Sequence, residues 1–223
     1  MNIFLKNNKL LTVDDAELLN IEKVHKLYRD YVNNSQVDLI SKFGFGNDLA
    51  EYSDGIIIKT KSGKEIYDFT GGIGVLNHGH NNERILNLRK KFSEKKRMEV
   101  HKNFFSPYVA VLSKNISDLL PSDLDISYFS NSGSDANEGA IKLAYKYHEG
   151  KRDFILTSDI SFHGKRIISS NITNSRETNY FSFQKIVNSE TFEFNNFESL
   201  KKKIEQLKSN GNSSVYAIIL VPF

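Results

Sequence analysis

Cysteine is absent from the 223 residues of this sequence, and the sequence contains no long apolar run. Without cysteine no disulfide framework can form, so the composition gives no indication of an oxidising compartment. No stretch approaches the roughly 18 consecutive apolar residues that a membrane-spanning helix needs. The first residues, MNIFLK, do not show the basic region and apolar stretch that are typical of a signal peptide. These absences predict a cytoplasmic protein with no membrane partner.

Several familiar ligand-binding motifs are also missing. The G-x-x-x-x-G-K-[ST] pattern of a P-loop does not occur, and the glycine pairs at 44–46 and 72–74 lack the third glycine of a dinucleotide fingerprint. His78 and His80 form the one close histidine pair, and a zinc site needs further ligands and supporting hydrogen bonds. The sequence therefore predicts no metal site.

The charge is nearly balanced, with 30 basic and 27 acidic residues and a net charge of +3. Hydrophobic residues make up 39% and charged residues 26%, which is typical of a soluble globular protein. The length allows a sizeable core. The densest basic stretch, 89–97, has a helical pattern, which favours a solvated helix face over a nucleic-acid surface. We expect no nucleic-acid partner.

The order of the predicted elements indicates an α/β fold. Residues 55–69 are predicted to form two strands joined at Ser62-Gly63. A helix that begins at Ser106-Pro107 has serine at the cap and proline at its first position. Beyond it strands and helices alternate, which predicts a mainly parallel sheet covered by helices. The predicted elements of this region are strand 126–129, helix 134–148, strand 154–157, helix 197–208 and strand 215–221.

The stretch FSNSGSDANEGAIKLA, residues 129–144, leads from a predicted strand through a polar turn into a helix. Gly133 permits a close backbone approach that a Cβ would block, and Ser132 and Ser134 add hydroxyl donors. The first amides of a helix have no partner inside it, and the helix dipole is positive at this end. The turn can therefore hold a phosphate group. An ordinary helix cap without a ligand also explains the same residues.

The stretch SDISFHGKR, residues 158–166, follows the next predicted strand, so its loop should open at the same edge of the sheet. An aromatic ring at Phe162 could stack on a flat heteroaromatic ligand. A buried Phe162 that anchors the loop is the alternative. A phosphate site and a stacking ring at neighbouring strand ends together suggest a phosphorylated aromatic cofactor.

Both stretches closely resemble the signatures of class III pyridoxal-phosphate aminotransferases, which have fold type I. The segment DFTGGIGVLNHGHNN, residues 68–82, resembles the glycine-rich segment of the same family. The resemblance covers about residues 40–221, with three motifs in the family's order. It is closest to the putrescine, ornithine and acetylornithine aminotransferase group. It implies an α/β fold with residues 1–100 belonging to a small domain and 101–223 beginning a large cofactor-binding domain.

The resemblance also implies roles for individual residues. Gly133 and Ser134, together with Ser132, would bind the phosphate of pyridoxal 5′-phosphate. Phe162 would stack on the pyridine ring, with His163 beside it. These five residues are the expected cofactor-binding set.

The resemblance also implies substrate-binding residues, in the glycine-rich segment and directly after Phe-His-Gly. Gly71, Gly72 and Gly74 would line the substrate entrance, part of which the second subunit of a homodimer would supply. Acetylornithine-type members have an arginine directly after Phe-His-Gly, where this sequence has Lys165. This difference favours ω-amine or diamine donors, with a 2-oxo acid as acceptor, although the adjacent Arg166 leaves the assignment open.

The family's aspartate for the pyridine nitrogen and its Schiff-base lysine come later in the family's sequence than residue 223. The resemblance therefore assigns no catalytic residue to this chain. We expect an N-terminal half of an aminotransferase, truncated or split, whose C-terminal half acts in trans or in a longer protein. A non-catalytic module that binds pyridoxal phosphate or a partner, and an inactive remnant, are the alternatives.

Overall fold

The computed structural model describes residues 10–99, 103–121, 123–174, 184–209 and 214–221. The chain divides into two units, Met1–Asn103 and Phe104–Phe223. The assignment of residues 1–100 and 101–223 to a small and a large domain stays a prediction. No helix among the described residues is long and apolar enough to cross a membrane.

The first unit begins with three short helices and continues with an antiparallel sheet in the order β1-β2-β3. Polar side chains start the helices: Thr12, Asn20 and Asn33 each accept a hydrogen bond from a backbone N–H in the first turn that follows. The helices are α1 (Val13–Glu17), α2 (Ile21–Tyr31) and α3 (Asn34–Lys42), and the strands are β1 (Ala50–Asp54), β2 (Ile57–Thr60) and β3 (Glu65–Tyr67).

The glycine-rich segment of this unit contains one tight turn with a left-handed backbone, labelled α4 (Gly71–Gly74), and precedes helix α5 (Glu83–Glu94). All four residues of α4 have positive φ, including Ile73 at 63°. The segment is tied to the sheet because Gly55 and His80 exchange two backbone hydrogen bonds of 3.0 and 2.8 Å. A Cβ at Gly79 would lie 2.9 Å from the Cα of Gly55, so this close approach requires glycine.

From α7 onward the second unit alternates helices and strands, as the sequence predicts, although one helix and one strand between residues 167 and 192 were not among the predicted elements. Its sheet is parallel, in the order β5-β4-β6. The elements are α6 (Pro107–Leu119), α7 (Gly133–Tyr147), β4 (Phe154–Ser158), α8 (Ile167–Asn171), β5 (Asn188–Phe192), α9 (Phe197–Ser209) and β6 (Val215–Ile219). The α/β class and the parallel sheet covered by helices are confirmed.

The core of the second unit lies on the two faces of β4. Ile155 and Leu156 are both fully buried, and they point to opposite faces because side chains alternate along a strand. Ile155 packs with Ile141 of α7, and Leu156 packs with Leu207 of α9. The sheet is therefore a middle layer, with α7 and α9 on opposite faces.

The predicted strand at 126–129 is wrong. Residues 124–130 are described and form no strand. The side chain of Ile126 is 97% exposed, and Tyr128 is also exposed. An apolar stretch becomes a strand only where a neighbouring strand accepts its hydrogen bonds, and no described strand pairs with these residues.

Candidate functional site

The N-terminus of α7 is capped by the serine that the sequence singles out. The backbone N–H of Asp135 donates to the Ser132 hydroxyl at 3.2 Å, and this hydroxyl donates to Asp135 Oδ2 at 3.1 Å. A serine hydroxyl carries one proton, so Ser132 has no second proton for a ligand. The cap reading is correct for Ser132, whose role in binding a cofactor stays a prediction.

The next two residues leave hydrogen-bond donors open. Within the described part of the chain, nothing accepts a hydrogen bond from the backbone N–H of Gly133 or of Ser134, or from the Ser134 hydroxyl. A Cβ placed on Gly133 would meet no atom within 4 Å. These amides lie at the positive end of the 15-residue helix α7. The site formed by Gly133 and Ser134, which we call the α7 N-terminal site, therefore fits an anion such as phosphate.

The loop that follows β4 lies against this site. A Cβ on Gly164 would be 2.1 Å from Ser134 Oγ and 2.9 Å from Ser169 Oγ, so the loop backbone approaches the first turn of α7 closely. Phe162, two residues earlier, is 55% exposed. Its exposure contradicts the alternative in which this ring is a buried anchor. An exposed ring in the loop that contacts Ser134 is available for stacking.

His163 points into the protein rather than outward. It is 4% exposed, and its Nε2 lies 2.8 Å from Thr157 Oγ1. The Ser161 hydroxyl donates to the Ser158 carbonyl at 3.1 Å and lies 3.2 Å from Thr157 Oγ1. If each hydroxyl donates once, Thr157 donates to Ser161, and the histidine proton is assigned to Nε2.

Burial lowers the pKa of His163 below its ordinary value of 6.5, so the ring is neutral at pH 7. The backbone N–H of His163 also donates to Thr173 Oγ1 at 2.9 Å. These contacts make His163 an internal anchor of the loop. Its predicted place beside the cofactor ring stays a prediction.

Three side chains of α7 hold this loop and the start of α8. Asn137 Nδ2 donates to the His163 carbonyl at 2.7 Å, and Asp135 Oδ1 lies 2.8 Å from Arg166 Nε. Glu138 Oε1 accepts hydrogen bonds from the backbone N–H groups of Ile168 and Ser169 at 3.1 and 3.4 Å. The sequence reasoning missed Asp135 and Asn137 as contacts of the loop. Both are polar residues in the first turns of the helix, and this position could have indicated that they contact the neighbouring loop.

The predicted substrate residues lie in both units. Lys165 is exposed in the loop, next to Arg166. Gly72 and Gly74 belong to α4 in the first unit and have φ of 65° and 76°. Their roles at a substrate entrance stay predictions. Among the described residues, no group of three or more His, Asp or Glu side chains could hold a metal ion.

A cavity of about 840 Å³ lies alongside α7. Its walls include Asp135, Glu138, Lys142 and Tyr145 of the helix and Tyr216 of β6. Neither Ser134 nor Phe162 lines it. The cavity reaches Asn131 and Asp135, on either side of Gly133 and Ser134, so it adjoins the α7 N-terminal site.

Comparisons with known proteins agree with one another on the family. Residues 47–223 match the sequence profile of the family described as aminotransferase class-III. The chain is 29% identical over 220 residues to the putrescine aminotransferase of Pectobacterium atrosepticum, a match that covers 95% of this chain and 46% of the relative. It is 33% identical over 168 residues to the acetylornithine aminotransferase of Prochlorococcus marinus, covering 73% of this chain and 39% of that protein.

Solved structures show the same fold. The taurine:2-oxoglutarate aminotransferase of Bifidobacterium kashiwanohense, solved in complex with PLP and glutamate, aligns with a TM-score of 0.68 at 23% identity. The alignment covers 91% of this chain and 48% of that structure. The chain thus spans about half the length of the proteins it matches.

Proposed function

The chain belongs to the class III aminotransferases, and on that premise we propose that its α7 N-terminal site binds the phosphate of pyridoxal phosphate. Pyridoxal phosphate is the cofactor of this family. The reaction we propose for the whole protein transfers an amino group from an ω-amine, a diamine or an amino acid to a 2-oxo acid. Bound pyridoxal phosphate supplies the reactive aldehyde and an electron-withdrawing ring for that reaction.

The open donors of Gly133 and Ser134 carry the proposal. Two backbone amides and one hydroxyl have no acceptor in the described part of the chain, and they lie at a positive helix end. Phosphate oxygens accept such hydrogen bonds. Phe162 is exposed in the loop whose Gly164 packs against Ser134. Donors for a phosphate and a ring for stacking, the two features that bind a phosphorylated aromatic compound, therefore lie on segments that contact each other.

The identity of the amino donor is argued from Lys165 and Arg166. The guanidinium of Arg166 is engaged by Asp135 at 2.8 Å, which leaves it less suited to bind a substrate carboxylate. Lys165 occupies the position where acetylornithine-type members have arginine. We therefore propose ω-amines and diamines as donors. The complete reaction is proposed for a protein in which the family's second half is present, in the same chain or in a partner chain.

Binding of pyridoxine 5′-phosphate tests the proposed site. This probe keeps the ring and the phosphate but has no aldehyde, so it forms no imines with surface lysines. We expect the 223-residue chain to bind it at least about tenfold more tightly than unphosphorylated pyridoxine in calorimetric titrations, because hydrogen bonds to a charged group contribute about 1.5 to 3 kcal/mol each. Equal affinity for the two compounds would reject the proposal.

Three variants localise the binding. Ser134→Ala removes one donor and should weaken pyridoxine 5′-phosphate binding about tenfold. Phe162→Ala should weaken the binding of pyridoxine 5′-phosphate, because the ring contact is lost. The affinity for inorganic phosphate, which has no ring, should stay unchanged. Ser113→Ala is the matched control, since this serine lies on α6 and its hydroxyl donates to the Val109 carbonyl. An equal effect of the control would show that the loss is not local to the site.

A further inference from the structure

We propose that Arg166 tunes the α7 N-terminal site by neutralising Asp135, so that the same helix end can accept a phosphate dianion. The inference rests on the proposed function. It assigns to Arg166 an electrostatic role in cofactor binding, in place of a contact with substrate.

The conflict arises from where Asp135 lies. It is the third residue of α7, and its Oδ2 accepts the hydrogen bond of the Ser132 cap at 3.1 Å. A carboxylate in the first helical turn is favoured by the helix dipole in the absence of a ligand. A phosphate bound at the amides of Gly133 and Ser134 would lie at the same helix end. Two anions close together repel, and the repulsion is strong where water is partly excluded.

Arg166 removes this conflict. Its Nε lies 2.8 Å from Asp135 Oδ1, the oxygen that the Ser132 hydroxyl does not use. The Asp135 side chain is 22% exposed and the Arg166 side chain 59%, so water and salt reach this pair mainly from the arginine side. The pairing gives the first turn of α7 a local charge near zero.

The neighbouring carboxylate and the main chain of Arg166 are held by contacts of their own. Glu138, the next carboxylate on α7, accepts hydrogen bonds from the first backbone N–H groups of α8. The main chain of Arg166 is fixed independently, because its N–H donates to Ser169 Oγ at 3.1 Å and its carbonyl accepts from the Ser170 N–H at 2.7 Å. A change of the Arg166 side chain removes its contact with Asp135, but these main-chain hydrogen bonds and the bond from Asn137 to the His163 carbonyl should keep the loop in place.

A double-mutant cycle tests the inference with pyridoxine 5′-phosphate and inorganic phosphate as the titrated ligands. In Arg166→Gln, the affinity for both should fall about tenfold at low salt, the size expected for an uncompensated charge a few ångströms from the phosphate. The loss should shrink in 0.5 M NaCl, where exposed charges are screened. Arg166→Lys, which keeps the charge, should bind nearly as the unaltered chain does. Asp135→Asn should bind phosphate as tightly or more tightly.

The double variant gives the decisive result. Asp135→Asn with Arg166→Gln should recover the affinity lost in Arg166→Gln alone, because the repelling carboxylate is gone. If the double variant binds as poorly as Arg166→Gln, Arg166 contacts the phosphate directly and the inference is wrong. Weaker phosphate binding in the single variant Asp135→Asn would also show that the inference is wrong, whatever the result for Arg166→Gln.

Two further measurements separate the possible failures. Lys203→Gln removes another partly exposed cation, paired with Glu190 at 3.3 Å, and should leave both affinities unchanged; a tenfold loss there would show a general charge effect and contradict the inference. If the unaltered chain shows no preference for the phosphorylated compound, the proposed function fails, and the inference fails with it. If that preference is present but Arg166→Gln retains it in full, only the inference is rejected.

Discussion

Two glycines of the second unit, Gly133 and Gly164, serve opposite purposes. At Gly164 the absence of a Cβ allows the loop to pack against Ser134, and its φ of 131° is one that other residues rarely adopt. At Gly133 a Cβ would point into open space. One glycine thus permits contact within the protein, and the other leaves room for a ligand.

Alanine substitutions should separate these purposes. Gly164→Ala should lower the free energy of unfolding by at least about 1 to 3 kcal/mol, since its Cβ would overlap Ser134 Oγ. Gly133→Ala should leave the stability unchanged or slightly higher, because alanine is the better helix former, yet weaken binding of pyridoxine 5′-phosphate. Urea denaturation and titration of both variants check this. A stable Gly164→Ala would show that the loop does not need the close packing.

Ile73 provides a second prediction at the residue scale. A β-branched residue at φ of 63° is strained by about 1 to 2 kcal/mol, and its side chain is 93% exposed. Ile73→Gly removes the strain but adds chain entropy, so we expect the free energy of unfolding to rise by up to about 1 kcal/mol. Ile126→Gly is the control: its isoleucine is equally exposed at an ordinary φ, and its replacement should not stabilise. Destabilisation by Ile73→Gly would mean that the side chain makes a stabilising contact.

At the scale of elements, polar side chains hold the two candidate segments, the loop after β4 and the glycine-rich segment of the first unit. The loop after β4 is held by Asp135, Asn137 and Glu138 of α7. In the first unit, the Asp68 carboxylate joins α4 to the strand pairing, since it accepts hydrogen bonds from Thr70 and Gly71 and pairs with His80 at 2.8 Å. Such contacts fix loops that have little apolar surface to bury.

Asp68 gives the first unit a predictable dependence on pH. Hydrogen bonds from Thr70, and then from His80, hold the pKa of Asp68 far below its ordinary value of 3.8. A carboxyl group with a depressed pKa contributes stability above the pKa of the unfolded chain, and this contribution is lost as the pH falls below about 4.

Asp68→Asn should therefore destabilise the protein at pH 7, and the difference from the unaltered chain should decrease steadily from pH 5 to pH 2. Denaturant midpoints measured across this range check the prediction. Asp54→Asn is the control, because among the described side chains the Asp54 carboxylate accepts one long hydrogen bond, of 3.4 Å from Tyr52. A pH-independent difference for Asp68→Asn would contradict the role assigned to the charge.

At the scale of the whole molecule, the buried apolar residues are unevenly distributed. Val37 is the one buried hydrophobic residue described in the first unit, and the others lie around β4 of the second. Because burial of apolar surface is the main source of stability, the second unit has the more substantial core of its own. The proposed phosphate site is therefore supported by the better-packed unit.

Leu156→Ala tests this distribution. Leu156 is fully buried in β4, and truncation of such a side chain costs about 2 to 5 kcal/mol. Leu143→Ala on the exposed side of α7 should change stability by less than about 0.5 kcal/mol. Strand β4 pairs with β5 on one side and β6 on the other. Hydrogen exchange of its amides should accelerate in Leu156→Ala and not in Leu143→Ala. Unchanged β4 protection in Leu156→Ala would show that this strand is not the centre of the core.

Much of the fold and of the proposed phosphate site follows from local sequence. Ser132 caps α7, and Pro107 opens α6, because capping depends on residues within one turn. The amides of Gly133 and Ser134 are open because every helix starts with unpaired donors. The strand predicted at 126–129 is wrong for the opposite reason: whether a stretch forms a strand depends on partner strands distant in sequence.

The helix caps, the open donors at α7 and most of the order of strands and helices could be predicted from the sequence, because each of these depends on neighbours within a few residues. Long-range packing sets the orientation of the loop after β4, in which Phe162 faces outward while His163 turns inward to Thr157. It also decided that Arg166 meets Asp135, 31 positions earlier in the chain. Which side of a loop is buried, and which charges meet, are fixed only when distant segments pack against one another.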